Sequence, residues 1–143
     1  MISEVLYSSN TDEWETPQHV FDQLDHEFGF TLDACANEHN HKCKRYYDMN
    51  QDGLKQSWNG EVVWCNPPYS EVAKWIEKAF YETKSEKTVV VLLVFSRTDT
   101  RWFQDYVYNR AEVRFIKGRL RFGTAKHNAP APSMVVIFRG AKV

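Results

Sequence analysis

The sequence predicts an α/β fold with a largely parallel sheet, and three observations carry that prediction. Residues 88–95 are almost continuous Val and Leu, the composition of a central strand covered on both faces. Segments with helical spacing of apolar residues alternate with strand-like runs along the chain. A second apolar run, residues 61–65, stops at Asn66-Pro67-Pro68-Tyr69, where two prolines cannot continue a central strand.

Taken in order, residues 1–14 lack periodicity and read as a loop, with 1–11 a flexible arm. A helix is expected from Thr16 as its N-cap with Pro17 in the first position. Val20, Phe21, Leu24 and Phe28 then share one face, and Gly29 ends it. Residues 30–32 read as a short strand ending at Asp33. Residues 34–59 are irregular, with a turn at Asp52-Gly53 and a short helix at 40–46. After the strand at 61–65, a helix spans 71–83 with Val72, Ile76, Ala79 and Phe80 facing inward. The central strand leads to a helix capped by Asp99 or Thr100 and carrying Trp102, Phe103, Tyr106 and Val107. Residues 113–116, 119–122 and 134–139 read as further strands, with Ala129-Pro130-Ala131-Pro132 in an irregular connection.

A chain of 143 residues is one domain, 1–143, with no room for a separate target-recognition domain. Target reading then falls to loops, and pairing of two chains as a homodimer is one way to span a longer site. No apolar run approaches the length of a membrane span, and no basic start precedes an apolar stretch, so no membrane partner and a cytoplasmic location are expected. Cys35, Cys43 and Cys65 are an odd number of cysteines, read as reduced thiols.

The net charge of −1 conceals a division. Residues 1–41 hold nine acidic residues and no Lys or Arg, whereas all 18 basic residues fall in 42–143. Such polarity can present a positive face to a polyanion, although a charge run can equally be a solvated face. Arg97, Arg101, Arg119, Arg121 and Lys126 are the candidates for contacts to phosphate or base. In a strand, Arg119 and Arg121 would share one face while Leu120 and Phe122 pack inward.

The tetrad at the end of the second strand has its own chemistry. The Asn66 side-chain carbonyl and the Pro67 backbone carbonyl are acceptors, and Pro68 has no N–H to compete for them. Two acceptors converging on one point suit an amino group with two hydrogens. Consecutive prolines fix where those carbonyls aim, and Tyr69 offers a face on which a flat ring can stack. In parallel sheets ligands bind outside the carboxyl ends of strands. Asp33, Asn66 and Ser96-Arg97 all follow strand ends and are expected in one cleft.

These residues resemble a known family. Asn66-Pro67-Pro68-Tyr69 after a strand is the signature of amino-group methyltransferases that use S-adenosylmethionine. Asp12-Glu13-Trp14, Thr16-Pro17-Gln18, residues 32–36, Asp52-Gly53-Leu54, residues 97–103 and residues 118–122 extend the resemblance to the small phage and prophage DNA adenine methyltransferases, over residues 12–139. The resemblance implies a compact Rossmann-like methyltransferase fold, a mostly parallel sheet with an antiparallel C-terminal hairpin, and methyl transfer to the exocyclic N6 of adenine in double-stranded DNA, within a bacterial host cytoplasm if phage-encoded. It makes Asn66, Pro67, Pro68 and Tyr69 the catalytic residues. By analogy, Thr16 and Pro17 close over the methionine end of the cofactor, and Asp33, Ala34 and Cys35 form its first-strand turn. Asp48 and Asp52 are the candidates for ribose and adenine contacts, Asp52-Gly53 being a plain turn otherwise. The departure from the broader pattern is that no glycine follows Asp33 until Gly53.

Other readings stay open at this level. The acceptor could be an RNA base or a protein glutamine amide, or the chain could be a non-catalytic DNA-binding module of the same fold. Cys35, His39, His41 and Cys43 invite a zinc reading, but the close His-x-His spacing and the overlap of Cys35 with the cofactor turn weigh against it, and no metal is expected.

Overall fold

Seven consecutive apolar residues, Val89–Phe95, form the middle of the sheet. In the computed structural model, which describes residues 15–122 and 129–140, this strand is β3. Before it in the chain come β1 (Leu32–Asp33) and β2 (Val62–Cys65), and after it β4 (Glu112–Phe115) and β5 (Ser133–Arg139). Their spatial order is β1-β2-β3-β5-β4. The first three run parallel, while β5 lies antiparallel to both β3 and β4. The described residues therefore form a mixed α/β fold on a five-stranded sheet.

Period-two alternation sends the side chains of each strand to opposite faces. Val63, Cys65, Val90, Leu92, Val94 and Val136 pack on one face with Trp75, Ile76 and Ala79 of helix α2 (Val72–Glu82). Trp64, Val91, Leu93, Val135 and Ile137 pack on the other with Val20, Phe21 and Leu24 of helix α1 (Gln18–Phe28). The sheet is thus covered on both sides, as its apolar composition requires.

Several local expectations shift for identifiable reasons. Helix α1 starts one residue late: Pro17 is its cap residue, and the Pro17 carbonyl accepts from the N–H groups of Val20 and Phe21 at 3.1 and 3.3 Å. Thr16 does not cap: Pro17 keeps an extended ψ of 134°, which leaves Thr16 one residue outside the helix, where its hydroxyl accepts from Asn66 Nδ2. The C-terminal stop is as expected, with Gly29 at φ 70°. Residues 40–46 form turns rather than a helix, since the Asn37 side chain accepts from the N–H groups of His39 and Asn40 and closes the backbone locally. The chain then returns alongside β1, where Asp33 N–H donates to the Arg45 carbonyl and Tyr47 N–H to the Asp33 carbonyl, both at 3.0 Å. After β3, Thr100 rather than Asp99 accepts from Phe103 N–H, at 3.3 Å. The segment that follows, Phe103–Val107, is π-helical.

Residues 119–122, expected as a strand, join no ladder. Both edges of β5 are already occupied, one by β3 and the other by β4 in the register Glu112↔Ile137 to Phe115↔Met134. Gly118, at φ 75°, turns the chain away from that ladder, and Leu120 keeps one backbone bond, accepting from Ala129 N–H at 2.8 Å. The antiparallel C-terminal pair is therefore β4 with β5, separated by a long connection rather than a tight hairpin. The alternation of side chains survives: Phe122 is buried while Arg119 and Arg121 are exposed. Among the described residues no helix is long and apolar enough to cross a membrane.

Candidate active site

The carboxyl ends of β1 and β2 open on a cavity of about 560 Å³, within the range of small-molecule sites. Thr16, Asp33, Ala34, Cys35, Asp48, Asp52 and Asn66 all line it, and Pro17 does not. A second concavity of about 30 Å³ adjoins it, bounded by Asn66, Pro67, Tyr69, Phe95, Arg97 and Phe122 among others. The strand-end residues thus divide between two spaces rather than sharing one cleft. Asn66 borders both of them, with Asp33 on the larger side and Arg97 on the smaller. Ser96 lines neither.

Asp33 is 2% exposed, and two backbone donors reach its carboxylate: Lys42 N–H at 2.9 Å and Cys35 N–H at 3.4 Å. Burial nevertheless dominates and pushes the carboxyl up to about 6. Asp48 and Asp52 serve as turn anchors as well as cavity walls. Asp48 accepts from Gln51 N–H at 3.1 Å, and Asp52 accepts from Leu54 N–H at 3.1 Å while holding a positive φ of 56°.

The glycine missing after β1 is supplied from elsewhere. Gly53, in a one-turn 3-10 helix (Gly53–Lys55), packs so closely on the β1 turn that a Cβ there would lie 2.1 Å from the Ala34 carbonyl oxygen. Trp58, fully buried, donates its indole N–H to the Gly53 carbonyl at 3.0 Å and fixes this approach. Sequence reasoning also missed Tyr47, Met49 and Trp75 as cavity walls. The helical spacing that marks Ile76 and Ala79 on α2 also places Trp75 near that face, whereas Tyr47 and Met49 come from an aperiodic segment and carry no such signal.

On the smaller side, the Tyr69 ring lies 5.2 Å from Phe95, and the Arg97 guanidinium stands 5.8 Å over the Tyr69 ring. Asn66 Nδ2 donates to the Thr16 hydroxyl at 2.8 Å. Pro68 leads into a short 3-10 turn, Tyr69–Glu71, that feeds α2. Arg97, Arg101, Arg119 and Arg121 are exposed, and Arg119 also donates to the Pro130 carbonyl at 2.9 Å. Lys126 lies outside the described residues, as do the segments 1–14 and 12–14 invoked above.

Cys43 and Cys65 are poor nucleophiles here: burial pushes the Cys43 thiol up to about 12 and Cys65 well above its ordinary value. The zinc-like spacing does not assemble. The His41 ring stacks on Tyr46 at 4.1 Å with Nδ1 2.7 Å from the Cys43 carbonyl, and among the described residues no three potential ligands converge.

Comparison with known proteins places this geometry. The chain is 33% identical over 138 residues to the DNA N-6-adenine-methyltransferase of Haemophilus phage HP1 (strain HP1c1), covering 91% of this chain and 80% of that one. It is 33% identical over 111 residues to the DNA N-6-adenine-methyltransferase of Escherichia phage T1, covering 76% of this chain and 46% of that protein. The family model described as DNA N-6-adenine-methyltransferase (Dam) matches residues 3–142, and the chain belongs to that family.

Proposed function

We propose that this chain transfers a methyl group from S-adenosylmethionine to the exocyclic N6 amino group of adenine in DNA. The observation that carries the reading is Asn66 standing between two adjoining cavities, one of cofactor size and one walled by aromatic rings. The family to which the chain belongs supports it. The strand order with an antiparallel β5 supports a Rossmann-like methyltransferase sheet in one domain, with target reading left to its loops.

The larger cavity suits the cofactor in its chemistry as well as its size. Asp33 offers a buried carboxylate for the amino group of the methionine portion, and Asp48 and Asp52 offer carboxylates for hydroxyl groups. Trp75 adds an aromatic wall to the same cavity. When bound, the cofactor supplies an activated methyl group. The remaining work falls to the protein.

Adenine's amino lone pair is delocalised into its ring and attacks poorly. The Asn66 side-chain carbonyl and the Pro67 backbone carbonyl accept its two hydrogens, favouring a pyramidal nitrogen whose lone pair is available. Those bonds strengthen as positive charge develops on nitrogen, which is the condition for catalysis rather than mere binding. Tyr69 stacks on the base, which must leave the duplex to reach it. The smaller concavity has room for only about two waters. Base entry therefore needs the concavity to widen, and Tyr69, 42% exposed, is the most exposed of its aromatic walls.

The test is transfer of labelled methyl groups to DNA of mixed sequence, with RNA of the same sequences in parallel, followed by mapping of the modified base. N6-methyladenine in the DNA arm is expected. Wild-type activity in Asn66→Ala would sink this mechanism.

A further inference from the structure

Asn66 carries two chemically opposite groups on one planar amide. Its carbonyl accepts a hydrogen from an amino group, whereas its NH2 can only donate. Half a turn of the amide exchanges them, so something must select the productive orientation.

In the structure the NH2 group lies 2.8 Å from the Thr16 hydroxyl, across fifty positions of sequence. Thr16 is 4% exposed, and a hydroxyl so buried requires an internal partner. It is also held firmly. Pro17 confines the residue before it to extended backbone, and β-branching restricts its χ1. Helix α1, which follows directly, is docked by Phe21 against Trp64, edge to face at 5.4 Å. Trp64 stands two residues before Asn66, and both line the larger cavity. Hydroxyl and amide therefore hang from one packed unit.

We propose that Thr16 is a positioning residue for methyl transfer: its hydroxyl accepts from Asn66 Nδ2 and so turns the Asn66 carbonyl toward the target amine. The proposal rests on the methyl-transfer reading above and deepens it. Thr16 also lines the larger cavity, and a role confined to holding the cofactor makes a different prediction. A cofactor contact acts on affinity, whereas a positioning residue acts on the chemical step.

The experiment compares Thr16→Val and Thr16→Ser in the full chain. It measures single-turnover transfer to DNA, cofactor affinity by calorimetry, and thermal unfolding. Thr16→Val is expected to slow the single-turnover rate roughly ten-fold, the equivalent of one hydrogen bond, with little change in cofactor affinity. Thr16→Ser, which keeps the hydroxyl, recovers most of that rate. Thr16→Ala gives the same reading as Thr16→Val if valine disturbs folding. Orientation itself is tested in an Asn66→Asp background. A carboxylate has two equivalent oxygens and no wrong end, so Thr16→Val there costs less than in the native background. The positioning role is overturned if Thr16→Val keeps the wild-type rate, if its whole effect lies in cofactor affinity, or if it costs as much with Asn66→Asp as without it. An inactive Asn66→Ala beside a fully active Thr16→Val removes the positioning role alone, whereas absence of methyl transfer by the wild-type chain removes the reading beneath it.

Discussion

At the scale of single residues, Asp33 is where burial and the role proposed for it pull against each other. Its carboxyl, raised to about 6 by burial against the pull of two backbone donors, is protonated in the folded chain at pH values where the unfolded chain has already lost the proton, above about 4. The sign follows from the raised value. This group's contribution to folding is fully present below about pH 4 and is lost as pH rises through about 6, because the folded state binds more protons over that window. In the role proposed for Asp33, cofactor binding runs the other way, since the ionised form is the one that would hold an ammonium group. Calorimetric affinity for S-adenosylmethionine is therefore expected to strengthen between pH 5 and 7 with an apparent midpoint near 6, and Asp33→Asn is expected to bind weakly across that range. An affinity independent of pH in the wild-type chain would remove Asp33 from the amino-group contact. The residue was legible in the sequence because it ends a strand. Its partners were not, because Lys42 reaches it only through turns closed by the Asn37 side chain.

At the scale of elements, what could be read in advance is what depends on near neighbours in sequence. The unbroken apolar run of β3, the helical spacing of α1 and α2 and the prolines after β2 each state their own conformation. Apart from residues 40–46, where the nearby Asn37 side chain closes the backbone, the failures share one cause, competition from distant groups. Thr16 is a good N-cap by type, but it lies one residue outside the helix with its hydroxyl on Asn66, fifty positions away. Residues 119–122 alternate like a strand, but β4 holds the edge of β5 they would need. The β1 turn lacks its own glycine, and Gly53 supplies the close approach from a segment held by Trp58. That last substitution makes a prediction. In Gly53→Ala the added carbon would sit 2.1 Å from the Ala34 carbonyl oxygen, and a backbone atom cannot rotate aside. The cost should be about 2 to 3 kcal/mol, as for overpacking of a fixed core, with weakened cofactor binding in the same variant. Gly140→Ala meets backbone of Ser85 and Glu86 at 2.4 to 2.6 Å and serves as the control: its chemical unfolding midpoint should fall while the surviving folded protein binds cofactor normally. Equal losses of cofactor affinity in the two variants would mean that Gly53 acts only through global stability.

At the scale of the whole molecule, the fold partly cancels the charge division seen in the sequence. Glu27 of the acidic portion pairs through both oxygens with Arg114, at 2.7 and 2.8 Å, and Glu112 takes a further bond from Arg114 at 2.6 Å and one from Arg139 at 2.5 Å. These arginines are committed to joining α1, β4 and β5. The exposed cations proposed for DNA are different ones: Arg97, over Tyr69 and lining the smaller concavity, Arg101 in the segment after β3, and Arg119 and Arg121, just before the buried Phe122 that walls that concavity. These four, and not Arg114 with its two carboxylate partners, are the ones proposed to meet the DNA backbone. Counterion release turns this into a measurement, because each phosphate contact removed lowers the slope of log affinity against log salt by about one. Arg119→Ala combined with Arg121→Ala should therefore reduce the slope by about two if both touch phosphate, leaving cofactor affinity unchanged. Arg114→Ala should leave the slope as it is in the wild-type chain. A wild-type slope in the double variant would take this segment out of the footprint, and a reduced slope in Arg114→Ala would move the DNA toward the α1 side of the sheet.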